Sequence, residues 1–76
     1  MLLVRPGCGL CEEFAQQLAS LGRQMVLPEW RELDVDSDPQ LTRRHGLDIP
    51  VLLLDGVKVC EHALDRDELR RLLRTR

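Results

Sequence analysis

The segment DIPVLLLDGVKVC, residues 48–60, constrains the fold of this chain more than any other stretch. An apolar run over residues 49–54 leads into Asp55 and Gly56, and residues 57–60 follow with a second strand pattern. Asp-Gly is favoured in two-residue hairpin turns because both of its positions tolerate positive φ. The segment therefore predicts two antiparallel strands joined by a tight turn.

The first third of the chain predicts a strand followed by a helix. Residues 2–4 form a short apolar run that ends at Pro6-Gly7, which is typical of a buried strand. Apolar side chains then recur with helical spacing over residues 10–21, and Gly22 is placed to end that helix in the left-handed conformation. The apolar residues of the predicted helix are Leu10, Phe14, Leu18 and Leu21.

The remainder of the chain predicts one more strand and two more helices. Residues 30–36 alternate between polar and apolar side chains, which indicates a second strand. Ser37, with Gln40 three residues later, forms a capping-box pattern at the start of a short helix. Asp65 and Glu68 mark the start of the last helix in the same way. The resulting element order is β-α-β-α-β-β-α.

This order predicts an α/β fold in one domain, residues 1–76. The first βαβ unit should be a right-handed crossover that places its two strands in parallel. The Asp-Gly turn makes the last two strands antiparallel. We therefore expect a mixed four-stranded sheet with helices on both faces.

The charge and hydropathy of the chain exclude several classes of protein. Thirteen acidic residues against eleven lysines and arginines give a net charge of −2, so no basic surplus is present to bind nucleic acid. No apolar run approaches the length of a membrane span, and no secretory leader pattern is present in the sequence. We expect a cytoplasmic, monomeric protein that does not bind membranes.

Cys8 and Cys11 are the candidate reactive residues. Residues three apart on a helix have Cβ atoms about 5–6 Å apart, so this pair can form a disulfide without refolding of the chain. In a reducing compartment, such a pair indicates redox chemistry or a metal site. The helix N-terminus, with Arg5 nearby, should stabilise the Cys8 thiolate for attack, and the more buried Cys11 should resolve the mixed disulfide. Gly7 and Gly9 leave space around Cys8 for a second sulfur.

Two segments resemble the glutaredoxin branch of the thioredoxin superfamily. RPGCGLC, residues 5–11, is similar to the glutaredoxin pattern of a basic residue and a proline before CxxC. DIPVLLLDG, residues 48–56, resembles the family segment that contains a cis-proline, a strand and a turn. The resemblance covers the whole chain and is closest to small bacterial glutaredoxin-like proteins with a CGLC motif. It implies the thioredoxin/glutaredoxin fold, with Cys8 as nucleophile, Cys11 as resolving cysteine and Pro50 as the cis-proline.

The function that this resemblance implies is thiol–disulfide exchange on protein or low-molecular-weight disulfides, with a cellular reductant as partner. We expect substrate to contact Arg5, Gly7, Gly9, Leu10, Ile49 and Pro50. We expect no tightly bound cofactor. Glutathione is a candidate ligand, although Cys60 and Glu61 stand where glutaredoxins carry the Gly-Gly pair that helps to hold it.

Other interpretations of the cysteines remain open from the sequence. Cys60 is either a third thiol near Cys8 or a small buried hydrophobic residue. Cys8, Cys11, Cys60 and His62 together have the ligand count of a zinc site, and a glutathione-ligated iron–sulfur cluster is a further option. The alternative function is therefore a non-catalytic module of the same fold that binds a metal or docks a partner. We expect no metal, because a zinc site usually draws on a second local pair of ligands beside Cys8 and Cys11.

Overall fold

The computed structural model describes residues 1–75, and its elements follow the predicted β-α-β-α-β-β-α order. The elements are β1 (Leu2–Val4), α1 (Gly9–Gln24), β2 (Glu32–Asp34), a 3₁₀ turn (Val35–Ser37), α2 (Pro39–His45), β3 (Val51–Leu54), β4 (Val57–Glu61) and α3 (Arg66–Arg74). Within the described residues, no helix is long and apolar enough to cross a membrane.

The four strands form one mixed sheet in the order β2-β1-β3-β4. β1 pairs in parallel with β2, and β3 pairs antiparallel with both β1 and β4. The predicted parallel pairing of the first two strands and the predicted hairpin are therefore both confirmed. Asp55 and Gly56 form the hairpin turn with φ of 51° and 82°, the two positive values that this type of turn requires.

Apolar side chains cover both faces of the sheet because neighbouring residues on a strand point to opposite sides. Leu2 packs with Phe14 and Leu18 of α1 and with Leu69 of α3. Leu3 packs on the other face in a smaller cluster that includes Val35 and Val51, with Leu41 of α2 against it. α1 and α3 thus cover one face and α2 the other, as the sequence predicts. This is the architecture of the thioredoxin fold.

The first helix extends beyond its predicted end. α1 continues to Gln24, so Gly22 lies inside the helix instead of ending it. The backbone N–H of Met25 still donates to the carbonyl oxygen of Leu21 at 3.0 Å. At the other end of the helix, Leu10 is 55% exposed and does not belong to the core.

The second strand and the start of α2 also differ from the prediction. β2 stops at Asp34 because the chain turns into the 3₁₀ segment, where the hydroxyl of Ser37 donates to the carbonyl oxygen of Asp34. The N-cap of α2 is Asp38, whose side chain accepts from the backbone N–H of Gln40 at 2.8 Å. Pro39 takes the first helical position, which proline favours, and this makes the preceding residue the cap.

Candidate redox site

A tight turn carries the chain from β1 to the first cysteine. The backbone N–H of Cys8 donates to the carbonyl oxygen of Arg5 at 3.2 Å, with Pro6 and Gly7 between them. Gly7 has a φ of +76°, which a type II turn requires at its third position and which favours glycine. Cys8 follows in an extended conformation as the N-cap of α1. The Pro-Gly pair in the sequence thus fixes where the helix starts.

Cys8 and Cys11 are joined by a disulfide across the first turn of α1, with their Cα atoms 5.2 Å apart. The backbone N–H of Cys11 points at the Sγ atom of Cys8 at 3.2 Å. Cys11 is 4% exposed and Cys8 is half-buried, so Cys8 carries the more accessible sulfur. The predicted pairing geometry is therefore confirmed, and the helix N-terminus directs a backbone donor at the outer sulfur.

Arg5 lies beside the cysteine turn, but its guanidinium group is already engaged. Its Nε and Nη2 atoms donate to the two carboxylate oxygens of Asp36 at 2.7 and 2.9 Å, and Nη1 donates to the carbonyl oxygen of Gly46 at 3.2 Å. The hydrogen bond from Arg5 holds the pKa of Asp36 below its ordinary value. Substrate contact by Arg5 stays a prediction. No pattern in the sequence marks Asp36 as the partner of Arg5.

Pro50 follows a cis peptide bond, as predicted. Leu3 of β1 pairs with Val51 of β3, so Pro50 lies at the end of the sheet where β1 leads into the cysteine turn. Pro50 is buried and Ile49 is half-buried. The carbonyl oxygen of Pro50 accepts a hydrogen bond from the backbone N–H of His62 at 2.8 Å. The strand register therefore brings Pro50 and the cysteine pair to the same end of the sheet.

Cys60 lies on β4, which runs parallel to β1, and pairs with Leu52 of β3. On its other side, Leu52 pairs with Leu2, which lies two residues before the end of β1. The thiol is free and half-buried, and burial raises the pKa of Cys60. Cys60 lines a surface depression with Asp65 of the α3 cap, whereas a different cleft adjoins the disulfide. Its role as a third thiol stays a prediction.

The possible metal ligands do not assemble as a Cys₃His set. Among the described residues, the group of potential ligands that comes together is Asp48, Glu61 and His62, with ligand atoms within 4.8 Å of one another. Carboxylates and imidazole are ligands that Zn²⁺ accepts. Lys58 donates to Glu61 at 3.1 Å, and this hydrogen bond lowers the pKa of Glu61. No pattern in the sequence marks Asp48 as a ligand, and the loop before Pro50 brings it to the end of β4.

The fold and the disulfide at the start of α1 define a glutaredoxin-like protein of thioredoxin fold. The chain belongs to the glutaredoxin-like domain family (DUF836), whose model matches residues 1–74. An uncharacterized protein of Mycobacterium bovis and uncharacterized proteins from two strains of Mycobacterium tuberculosis are each 35% identical to it over 74 residues. Each match covers 91% of this chain and 75% of the relative. No solved structure matches the chain significantly.

Proposed function

We propose that this protein is a thiol–disulfide oxidoreductase that uses Cys8 and Cys11 as a reversible dithiol. The observation that carries the proposal is the disulfide between an accessible N-cap cysteine and a buried cysteine one helical turn later. The family match supports the same conclusion. A static structural disulfide is not needed here, because Phe14, Leu18 and Leu21 already anchor α1 in the core.

The reduced protein would act in two displacement steps. The Cys8 thiolate, stabilised by the backbone N–H groups at the start of α1, attacks one sulfur of the substrate disulfide and expels the other as a thiolate. Cys11 then loses its proton and attacks the Cys8 sulfur of the mixed disulfide. The second substrate thiolate leaves and takes up a proton. The protein is left oxidised in the form that the structure shows, and the substrate has gained two electrons.

The surroundings of Cys8 suit an incoming disulfide. Apart from its chain neighbours and the backbone of its own helix, an added Cβ atom at either Gly7 or Gly9 would meet no atom within 4 Å, so there is open space on both sides of Cys8. Leu10 offers an exposed apolar side chain beside it. We propose that Ile49 and Pro50 align the substrate backbone in an extended conformation, as in other domains that bind a peptide by β-strand addition. Glutathione disulfide is one candidate low-molecular-weight substrate, and a cellular thiol or reductase would restore the dithiol.

Single cysteine substitutions test this proposal. Cys8→Ser should lose all detectable reduction of a small neutral disulfide such as 2-hydroxyethyl disulfide. Cys11→Ser should retain the first step and accumulate a mixed disulfide on Cys8, which intact-mass spectrometry detects. Cys60→Ser is the matched control and should keep the wild-type rate.

Two results would contradict the proposal. One is an unchanged rate of reduction in Cys8→Ser. The other is stoichiometric zinc, with no free thiols, in protein purified without added metal. The second result would favour the non-catalytic metal-binding alternative.

A further inference from the structure

A cleft of about 420 Å³ lies between α1 and the edge strand β2, and both cysteines form part of its wall. The residues that matter for its chemistry are Arg5, Cys8, Cys11, Glu12, Glu32 and Asp34. The cleft therefore adjoins the candidate redox site directly, because both cysteines line it.

The cleft exists because β2 presents charged residues where β1 presents apolar ones. Leu2 and Val4 of β1 face α1 and pack in its cluster. Their partners on β2 are Glu32 and Asp34, while Leu33 between them packs on the opposite face. Burial of these carboxylates under a helix would carry a large desolvation cost. α1 consequently covers β1 and leaves the neighbouring face of β2 open to solvent.

The charge of the cleft is not balanced by its own cation. Arg5 lines the cleft, but its guanidinium group forms an ion pair with Asp36 and donates two hydrogen bonds to that carboxylate. Neither Glu12 nor Glu32 forms an ion pair within residues 1–75. Glu12, on the same helix as Cys11, and Glu32, on the opposite wall, therefore present unpaired carboxylates to the cleft.

We infer that this cleft selects polypeptide disulfides in which a lysine or arginine flanks the reactive cysteine. The inference rests on the proposed function and specifies its substrate class. The cleft is large enough for one long basic side chain, and complementary charge raises the rate of encounter and orients the partner. Glutathione disulfide carries a net negative charge from its carboxylates, so the same residues disfavour it.

The test compares substrates that differ only in charge. Two peptides of equal length each carry one cysteine as a mixed disulfide with 2-mercaptoethanol, flanked by lysines in one peptide and by glutamates in the other. The reduced wild-type protein should react about tenfold faster with the lysine peptide at low salt, and the ratio should approach one in 1 M NaCl. Glutathione disulfide should react at a rate close to that of the glutamate peptide.

Matched double variants assign the preference to the cleft. Glu12→Gln with Glu32→Gln should reduce the rate ratio to about twofold or less, in line with the modest strength of exposed charge pairs. Glu13→Gln with Glu29→Gln removes the same charge from exposed positions outside the cleft and should keep the wild-type ratio.

Each outcome distinguishes the two proposals. Equal rates for the two peptides in the wild type, or equal ratios in the two double variants, would overturn the inference about the cleft. Those results would leave the proposed function intact if 2-hydroxyethyl disulfide is still reduced. If the reduced wild-type protein does not reduce 2-hydroxyethyl disulfide, the proposed function itself is overturned.

Discussion

Cys60 shares its residue type with Cys8 and Cys11 but not their surroundings. It packs at the edge of the apolar cluster beneath α1 and α3, and burial raises the pKa of its thiol, whereas Cys8 lies at a helix N-terminus. At neutral pH we therefore expect Cys60 to be protonated and slow to react. In reduced protein treated with iodoacetamide at pH 7, peptide mass spectrometry should show Cys8 modified at least tenfold faster than Cys60.

The pH dependence of the same reaction provides the control. In a variant with Cys8→Ser and Cys11→Ser, the rate of Cys60 alkylation should keep rising through pH 9. The reason is that burial raises the pKa of the Cys60 thiol above the ordinary value of about 8.5. A Cys60 rate equal to that of Cys8 at pH 7 would contradict this expectation. It would support the hypothesis of a third active thiol.

The residues of the site divide into those that a local pattern reveals and those that only the folded sheet brings together. Cys8 and Pro50 could be identified from the sequence because each stands near a strand end marked by proline or glycine, and Cys11 because it follows Cys8 at the CxxC spacing. Asp34 and Asp36 could not, because β2 lies more than twenty residues after the cysteines in the chain. Their proximity depends on the parallel pairing of β1 with β2.

Among the elements, α3 depends on a single capping residue for its start. The side chain of Asp65 accepts from the backbone N–H of Glu68 at 3.0 Å, as the sequence predicts. The helix then buries Leu69 in the main core. Asp65→Ala should therefore lower the free energy of unfolding by about 1 kcal/mol, the usual loss for an N-cap. Urea denaturation followed by circular dichroism measures this change.

Asp65→Asn is the matched variant, because asparagine caps helices about as well as aspartate. It should stay within a few tenths of a kcal/mol of the wild type. If both variants lose the same stability, the negative charge of Asp65 and not its hydrogen bond would be responsible.

Every strand and α-helix of the fold could be predicted from the sequence, but several of the residues at which they begin or end could not. Hydrophobic periodicity marks the buried centre of an element, where packing decides the structure. The ends depend on which of several suitable residues makes the cap. Ser37 and Asp38 both have capping side chains, and Pro39 decides between them. Gly22 allowed a helix end, but the hydrogen bond from Met25 to Leu21 carries α1 past it.

At the scale of the whole molecule, the ion pair of Arg5 and Asp36 joins segments that are distant in the sequence. Arg5 belongs to the turn before Cys8, Asp36 to the 3₁₀ segment after β2, and Gly46, which also accepts from Arg5, to the end of α2. Both ion-pair side chains are partly exposed, at 39% and 45%, so salt should screen their attraction. The pair thus joins these segments at the end of the sheet that carries the candidate redox site, but it adds little to the free energy of unfolding.

The pH dependence of this pair follows from the lowered pKa of Asp36. A carboxyl group with a lower pKa in the folded state stabilises the protein above its unfolded-state pKa of about 3.9, and this contribution is lost as the pH falls through the folded value. Asp36→Asn should therefore lower the melting temperature by a few degrees at most at pH 7. The difference from the wild type should shrink as the pH falls below about 3.9.

The same substitution also tests how the ion pair affects the cleft. Without Asp36, the charge of Arg5 is no longer neutralised beside the carboxylates of Glu12 and Asp34, so the preference for lysine-flanked disulfides should decrease. Glu29→Gln, which removes an exposed charge far from this edge, is the control for both measurements and should change neither. A melting difference for Asp36→Asn that keeps its full size as the pH falls well below about 3.9 would show that lost packing or the hydrogen bond from Thr42, and not the charge, links these segments.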